Sequence, residues 1–287
     1  MENGKSASAG KKLLEGILLS FGIMGLFMAL QILVSFVGMT AAMTAYMLQT
    51  GGDIVHAQYA LFDILADSDY LTMLTVVATL VSAMFSVPAY WLVWGRKRTA
   101  QDRQYFREKV LKPRPFAMVV IGSCGLYYLA ILISVVIDVI SPATMDAYNE
   151  MMDMTLGGSQ MLAMLAAVLL APINEECIMR GLILKNLQRF FPTSAVIVIQ
   201  AVLFGIFHAN WVQGLYVLPV GAALGYVAVK SRSVIPCIFM HLFYNLLSFV
   251  VTMLPEFCQS ILFAVCAVVV SAAAVCFMGR AKSSTEL

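Results

Sequence analysis

The chain alternates between long apolar stretches and short polar segments that hold nearly all of its charged residues. A helix that crosses a membrane needs about 20 mostly apolar residues, and most of the apolar stretches reach that length. The fifth and sixth stretches are shorter and meet at a tight turn. The pattern therefore predicts about eight transmembrane helices, over residues 14–48, 70–94, 116–141, 160–184, 194–209, 212–229, 234–254 and 257–278.

The composition excludes a soluble domain. Of the 287 residues 61% are hydrophobic and only 12% are charged, and the mean hydropathy is +0.87. These values are typical of a polytopic membrane protein, so the expected fold class is all-α. The first apolar stretch is too long for a signal-peptide core and is predicted to be a retained span. The six cysteines lie in apolar stretches without CxxC spacing, which favours packing over disulfides or a metal cage.

Basic residues occupy every second connection. Lys and Arg cluster at the N-terminus, in the 96–114 loop and after the fourth, sixth and eighth stretches, whereas the connections 49–69, 142–159, 210–211 and 255–256 contain none. The positive-inside rule then predicts that the N-terminus and the C-terminus are both cytoplasmic. The 96–114 loop is expected to lie against anionic lipid headgroups, and no nucleic-acid partner is predicted.

The fourth stretch contains three ionisable side chains, those of Glu175, Glu176 and Arg180. Each such group near the bilayer centre costs about 2.5 to 3.5 kcal/mol on insertion scales. Glu176 and Arg180 stand at i, i+4 on a helix and can pair. Glu175 projects about 100° away and is left free to face another helix or water. Glu175 is therefore the residue for which a function is expected.

Two of the three histidines also lie in apolar stretches. His208 shares a helical face with Phe204, and His241 shares one with Asn245. The third, His56, is in an acidic connection and is expected to be solvated. A single buried histidine is commonly a neutral ring that a backbone carbonyl satisfies. Two of them, in a chain with a spare carboxylate, favour a shared polar site.

These side chains suit the activation of water. A carboxylate in a partly dry cavity is a good proton acceptor, and an imidazole can orient the water or donate to a leaving group. A second imidazole with a neighbouring amide can stabilise an oxyanion. Such a set could hydrolyse a peptide bond without a nucleophilic Ser or Cys. Zinc is an open alternative, with Glu175, His208 and His241 as candidate ligands, although no HExxH motif occurs.

Three motifs in successive order resemble those of the CPBP (Abi) intramembrane proteases, which include the type II CAAX prenyl endopeptidases. The resemblance covers about residues 160–250, and each motif lies in its own predicted span. The motifs are Glu175-Glu176-x-x-x-Arg180, Phe204-x-x-x-His208 and His241-x-x-x-Asn245.

The resemblance implies a role for each polar residue of these motifs. Glu175 would activate water with the help of His208, while His241 and Asn245 would hold the oxyanion. The residues that would support the site are Glu176 and Arg180. The resemblance also implies a cavity that opens toward the cytoplasm within an all-helical membrane core. It leaves the choice between a metal-dependent and a glutamate-dependent mechanism open.

The expected organisation has three parts: N-terminal membrane helices with the basic loop over residues 1–155, a catalytic core over 156–254, and a final helix with a cytoplasmic tail over 255–287. The leading hypothesis is a multi-pass endopeptidase of the plasma membrane. It would cut a membrane-associated peptide or protein, in CAAX-type processing or in the maturation of a bacteriocin, leader or signalling peptide. The alternatives are a proton-coupled transporter and a non-catalytic immunity or scaffold protein.

Helix geometry sets one condition on this site. At about 1.5 Å per residue from the inner ends, Glu175 and His208 lie about 15 to 20 Å deep, but His241 lies only about 10 Å deep. Tilted or broken helices must close that difference. Candidate positions for a break are Pro172, Gly205 and Pro236.

Overall fold

The computed structural model describes residues 2–51 and 54–280, with side chains described over 10–51 and 59–278. Every regular element in those residues is helical. Predictions about the His56 side chain and about the outermost ends of the chain lie outside the described residues. In chain order the α-helices are α1 (Glu2–Thr50), α2 (Ile54–Ala66), α3 (Ser68–Val93), α4 (Ala100–Tyr105), α5 (Pro113–Ile140), α6 (Pro142–Leu156), α7 (Gln160–Met164), α8 (Ala171–Glu176), α9 (Leu184–Leu187), α10 (Thr193–Phe207), α11 (Trp211–Ser231), α12 (Ile235–Val250) and α13 (Ile261–Arg280).

The described residues include 7 helices that are long and apolar enough to cross a membrane. Their bounds are Gly10–Thr50, Ser68–Lys97, Pro113–Ile140, Gln160–Leu187, Trp211–Ser231, Ile235–Met253 and Ile261–Met278. The fifth predicted span is the 15-residue helix α10. At 1.5 Å per residue it is about 22 Å long, which is less than the ~30 Å of a hydrocarbon core. The all-α, membrane-integral fold is confirmed, while eight spans and cytoplasmic termini stay predictions.

Two connections that the charge pattern marked only as outer loops contain helices, α2 and α6. Pro142 begins α6, a position that suits proline because its missing N–H would be unpaired in any case. The hydroxyl of Thr72 in α3 donates to the carbonyl of Thr155 in α6 at 3.1 Å. Just after α6, the N–H of Ser159 donates to Asp69 at 2.6 Å. These bonds hold α6 against the end of α3.

The basic loop between α3 and α5 folds onto the end of α11. Thr99 and Asp102 form a capping box that begins α4. The Tyr105 hydroxyl donates to the carbonyl of Lys230 at 3.1 Å, and Arg232 lies 3.6 Å from Asp102. The basic loop therefore contains a short helix and packs against the end of α11.

Helices α10 and α11 approach closely because glycines face each other. A Cβ on Gly205 would lie 2.8 Å from the carbonyl oxygen of Gly214, and one on Gly214 would lie 3.0 Å from that of Gly205. Farther along, a Cβ on Gly221 would lie 3.1 Å from the Cα of Ala201. Both α10 and α11 also contact the central helix, a name we give to residues 160–187. Residues 176–184 of the central helix are all buried.

Candidate active site

Two π-helical segments interrupt the α-helical hydrogen bonding of the central helix around the candidate site. Segments Leu165–Leu170 and Cys177–Ile183 are π-helical, and α8 lies between them. In the first π segment the N–H of Ala171 bonds to the carbonyl of Ala166, five residues back. Such π turns are frequent at functional sites. The hydrogen-bond pattern therefore changes on both sides of α8, which contains Pro172, one of the three candidate positions for a break.

Pro172 explains where Asn245 binds. If the i to i−5 pattern continued, residue 172 would bond to the carbonyl of Ala167, but proline has no N–H. The side-chain amide of Asn245 in α12 donates to that carbonyl instead, at 2.7 Å. Asn245 thereby joins α12 to the central helix. One of its two amide N–H groups remains for the predicted oxyanion role.

Glu176 and Arg180 form the predicted pair. Both side chains are 0% exposed, and the Arg180 Nη1 to Glu176 Oε1 distance is 2.9 Å. Arg180 Nη2 also donates to the carbonyl of Gly221 at 3.1 Å. Its guanidinium carbon lies 4.5 Å from the centre of the Phe204 ring. A buried charge needs this degree of compensation, because an unpaired one would destabilise the fold.

His241 lies between the two carboxylates. Its Nδ1 is 2.8 Å from Glu176 Oε1, the same oxygen that accepts from Arg180. Its Nε2 is 3.9 Å from Glu175 Oε2. When Nδ1–H donates to Glu176, the neutral ring presents a lone pair on Nε2 and the protonated ring presents an N–H. Glu176 therefore holds the ring in place and leaves Nε2 facing Glu175.

Glu175 differs from its neighbour in both exposure and partners. Its side chain is 16% exposed, whereas that of Glu176 is fully buried. Among the described residues, neither Glu175 Oε2 nor Glu176 Oε2 has a hydrogen-bond partner, but the Oε1 of Glu176 is bound by Arg180 and His241. The 3.9 Å between this oxygen and His241 Nε2 is too long for a direct hydrogen bond, but a third atom can lie within hydrogen-bonding distance of both. The spare carboxylate that the sequence predicted is therefore Glu175.

His208 lies at a helix end and not in the middle of a span. Helix α10 ends at Phe207, and His208 is its C-cap. Ala209 follows with a φ of 51°, and Asn210 begins α11 by accepting from the N–H of Gln213 at 3.1 Å. The sequence had predicted that the fifth helix extends to residue 209. The left-handed backbone at Ala209 ends it earlier, since a helix cannot continue through that conformation.

His208 approaches the other motifs through Phe204. The ring centres of His208 and Phe204 are 4.8 Å apart, and those of Phe204 and His241 are 5.8 Å apart. In the described part of the chain His208 makes no ion pair with Glu175. A shared role for His208 and Glu175 therefore needs a water molecule or a substrate between them.

The motif residues are held by polar side chains that the sequence reasoning missed. Asn174 is 1% exposed, and its Oδ1 accepts from Ser82 at 3.0 Å and from Ser86 at 2.7 Å. Gln200 donates to the carbonyl of Gly221 at 2.7 Å, beside the bond from Arg180. Two features of the sequence could have indicated this support. Ser82 and Ser86 stand at i, i+4, and Asn174 and Gln200 each place an amide in an otherwise apolar stretch.

Helix α6 covers the turn at His208. The hydroxyls of Tyr148 in α6 and Tyr216 in α11 are 2.7 Å apart. Beside them, the amide of Asn210 lies 3.7 Å from the sulfur of Met151 in α6. Together these contacts close the site at the end where α10 turns into α11.

The candidate zinc ligands do not fit a metal centre in this geometry. Within residues 2–51 and 54–280, no three His, Cys, Asp or Glu side chains are placed to hold a metal ion. Glu175 and His241 approach each other, but His208 packs on Phe204. A zinc site needs ligand atoms that converge at about 2.0 to 2.2 Å, so no step of the chemistry is assigned to a metal.

Residues 157–247 match the family model described as Type II CAAX prenyl endopeptidase Rce1-like. The matched segment contains all three motifs and lies inside the predicted core of residues 156–254. The resemblance predicted from the motifs is thus confirmed, and the match supports a CAAX-type intramembrane protease in general terms. No curated protein and no solved structure matches the chain.

Proposed function

We propose that this protein is an intramembrane endopeptidase that hydrolyses a peptide bond in a membrane-associated peptide or protein. Glu175 activates the attacking water. The observation that carries the proposal is the contrast between two adjacent carboxylates. Glu176 is fully buried, and its Oε1 is bound by Arg180 and His241, whereas Glu175 is 16% exposed and its Oε2 faces His241 Nε2 at 3.9 Å without an ion pair to Arg180.

The proposed reaction starts with proton transfer to Glu175. The carboxylate takes a proton from a water molecule as the water oxygen bonds to the carbonyl carbon of the scissile peptide. The resulting tetrahedral intermediate carries the negative charge on the former carbonyl oxygen. Glu175 then returns the proton to the leaving nitrogen as the C–N bond breaks. No covalent enzyme intermediate forms on this route.

His241 is proposed to stabilise the oxyanion. The Glu176 carboxylate at Nδ1 holds the ring with Nε2 facing Glu175, and a ring that carries a proton on both nitrogens presents an N–H there. The Nε2–H of that ring can then donate to the oxyanion. The free N–H of Asn245 is the second proposed donor. His208, across Phe204, is proposed to orient the water or to donate to the leaving group.

Access from the cytoplasmic side is part of the proposal. Helix α6 covers the site at the α10–α11 turn, and the basic loop lies at the other end of α11. If the basic end is cytoplasmic, as the positive-inside rule predicts, a substrate enters from that side. The proposed location is the plasma membrane, and the proposed substrate classes are prenylated proteins and leader, bacteriocin or signalling peptides.

The substitution Glu175→Gln tests the proposal. Loss of the general base is expected to lower the rate of peptide cleavage about 10²- to 10⁴-fold. The measurement is cleavage in proteoliposomes of peptides that accumulate in a Glu175→Gln strain and are identified by mass spectrometry. Glu150→Gln, at an exposed acid of α6, makes the same chemical change outside the site and should leave cleavage unchanged.

The same variant separates the alternative functions. The buried series Glu175, His241 and Glu176 could also carry protons in a transporter. Loss of flux driven by a pH gradient in Glu175→Gln liposomes, with no cleavage by the wild type, would support that function instead. Equal cleavage by wild type and Glu175→Gln would contradict the proposed mechanism. A full cellular phenotype in the variant would indicate a non-catalytic partner.

A further inference from the structure

A second feature of the bundle is an apolar groove of about 520 Å³ that lies among α5, α11, α12 and α13. Its volume falls within the range of small-molecule sites. Five of the residues that line the groove have small side chains or none. These residues are Gly122, Gly125, Ala223, Ser271 and Ala272.

One end of the groove is polar and positively charged. Lys109 and Lys230 line this end, together with Tyr105, whose hydroxyl donates to the Lys230 carbonyl. The nearest acids of the basic loop have other partners: Asp102 lies beside Arg232, and Glu108 accepts from Gln104. In the described residues neither lysine is paired with an acid, so the end has a net positive charge.

The rest of the groove is long, and most of the residues that line it are apolar. Its lining on α5 runs from Pro115 to Leu129. Fourteen helical steps correspond to about 21 Å, or about two thirds of a ~30 Å hydrocarbon core. A cationic end that continues into a long apolar channel matches a molecule with an anionic head and a hydrocarbon tail.

We propose that this groove binds one anionic phospholipid. Its phosphate lies at Lys109 and Lys230, and one acyl chain lies along α5. Anionic lipids are attracted to lysines at the cytoplasmic surface, where the topology predicts this end of the groove. A zwitterionic lipid has the same chains but no net charge and gains less. The proposal does not depend on the proposed peptidase activity.

The groove and the candidate active site share a wall. Met240 lines the groove, and the next residue is His241. The hydroxyl of Ser123 in α5 donates to the Met240 carbonyl at 2.9 Å and fixes α12 against α5 at this level. A bound acyl chain packs against the part of α12 that positions His241.

Lipid binding to the full-length protein in detergent micelles tests the inference. Native mass spectrometry would compare phosphatidylglycerol with phosphatidylcholine of the same chain length. The wild type should bind phosphatidylglycerol more tightly. The double variant Lys109→Gln/Lys230→Gln should lose about 10- to 30-fold of that affinity and little affinity for phosphatidylcholine. Lys97→Gln removes a charge from the same loop outside the groove and should leave the preference unchanged.

A second variant tests the apolar part. Ala272→Phe adds bulk to the groove from α13 without changing the charge and should weaken the binding of both lipids, while the free energy of unfolding stays near that of the wild type. Equal affinity of the wild type for the two lipids would overturn the inference. So would an equal loss in Lys97→Gln and the double variant, or binding of an isoprenylated peptide in place of the phospholipid.

Discussion

Two adjacent residues of α12, His241 and Met240, contact very different surroundings within the same helical bundle. On one side His241 joins Glu176 and Arg180 in a polar cluster in which the two paired side chains are 0% exposed. On the other side Met240 borders an apolar groove that is left open. Polar groups in a bilayer must find partners within the protein, whereas apolar surface can face lipid. The paired side chains on the polar side are therefore enclosed by the protein, whereas the apolar side is free to take a ligand.

The same contrast occurs in miniature within the polar cluster. Glu176 has two partners and no exposure, and it acts as a structural centre. Glu175, the preceding residue, is 16% exposed and has no ion pair with Arg180. A buried carboxylate that is paired with a cation stabilises the fold, whereas a partly exposed carboxylate without that pair is available for chemistry. The following predictions test whether these two kinds of site respond differently.

The largest effect is expected at the buried ion pair. Arg180→Met should lower the free energy of unfolding by about 3 to 5 kcal/mol, because Glu176 loses its cation in a buried site. Unfolding in mixed micelles would measure the change. The double variant Arg180→Met/Glu176→Leu should recover much of the loss, since no buried charge remains unpaired. Wild-type stability in Arg180→Met would show that the pair contributes little.

An intermediate effect is expected at Asn245. Asn245→Ala should cost about 1 to 3 kcal/mol of unfolding free energy, because the Ala167 carbonyl is left without a donor. Pro172→Ala supplies a backbone N–H at the right place and should restore part of that stability in the double variant. Cleavage activity should stay low in the double variant if the other N–H of Asn245 acts on the oxyanion. Simple additivity of the two changes would argue against the link.

A smaller effect is expected at the tyrosine pair that closes the site. Tyr216→Phe and Tyr148→Phe each remove one hydroxyl of the 2.7 Å contact. Each should cost about 0.5 to 1.5 kcal/mol of unfolding free energy, and the double variant should cost little more than either alone. Tyr226→Phe, at an exposed tyrosine of the same helix, is the control and should leave the unfolding free energy near its wild-type value. Full additivity would show that the two hydroxyls do not cooperate.

The smallest effect is expected in the basic loop, and it depends on pH. Hydrogen bonds from the side chain and backbone of Thr99, and then the charge of Arg232, lower the pKa of Asp102 below its ordinary 3.8. The resulting stabilisation is complete above that value and is lost as the pH falls through the lowered pKa. Asp102→Asn should therefore lower the unfolding free energy by about 1 kcal/mol or less at pH 6. The difference should shrink below about pH 3.8. A difference that is independent of pH would contradict this role.

The membrane helices were predictable because their signal is local. A bilayer requires long apolar segments with internal hydrogen bonds, so hydropathy alone located the seven helices that are long and apolar enough to cross it. Helices α2 and α6 were missed, since the connections that contain them were interpreted only by their charge. Whether a short polar segment lies as a helix against the bundle depends on contacts such as the bond between Thr72 and Thr155, which no local pattern encodes.

The sequence predicted which residues belong to the candidate site, but it did not predict how all of them are arranged. The pairing of Glu176 with Arg180 follows from a spacing of four residues, and it survives a π-helical backbone because both side chains are long. The contact of His208 with Phe204 also follows from a spacing of four residues, and their ring centres are 4.8 Å apart. The end of α10 at Phe207 was not predictable, because it depends on the positive φ of Ala209.

Composition and motif order determined by themselves that this is an all-helical membrane protein with ionisable side chains gathered in one segment. The reason is energetic: lipid penalises charge so strongly that each charged group in a span stands out in the sequence. Only the tertiary structure decided which of those ionisable groups bind to each other. His241, 65 residues beyond Glu176, lies 2.8 Å from that carboxylate and 3.9 Å from Glu175. The difference between these two distances depends on how α12 packs on the central helix. Packing between segments that are distant in the chain cannot be predicted from a local sequence pattern.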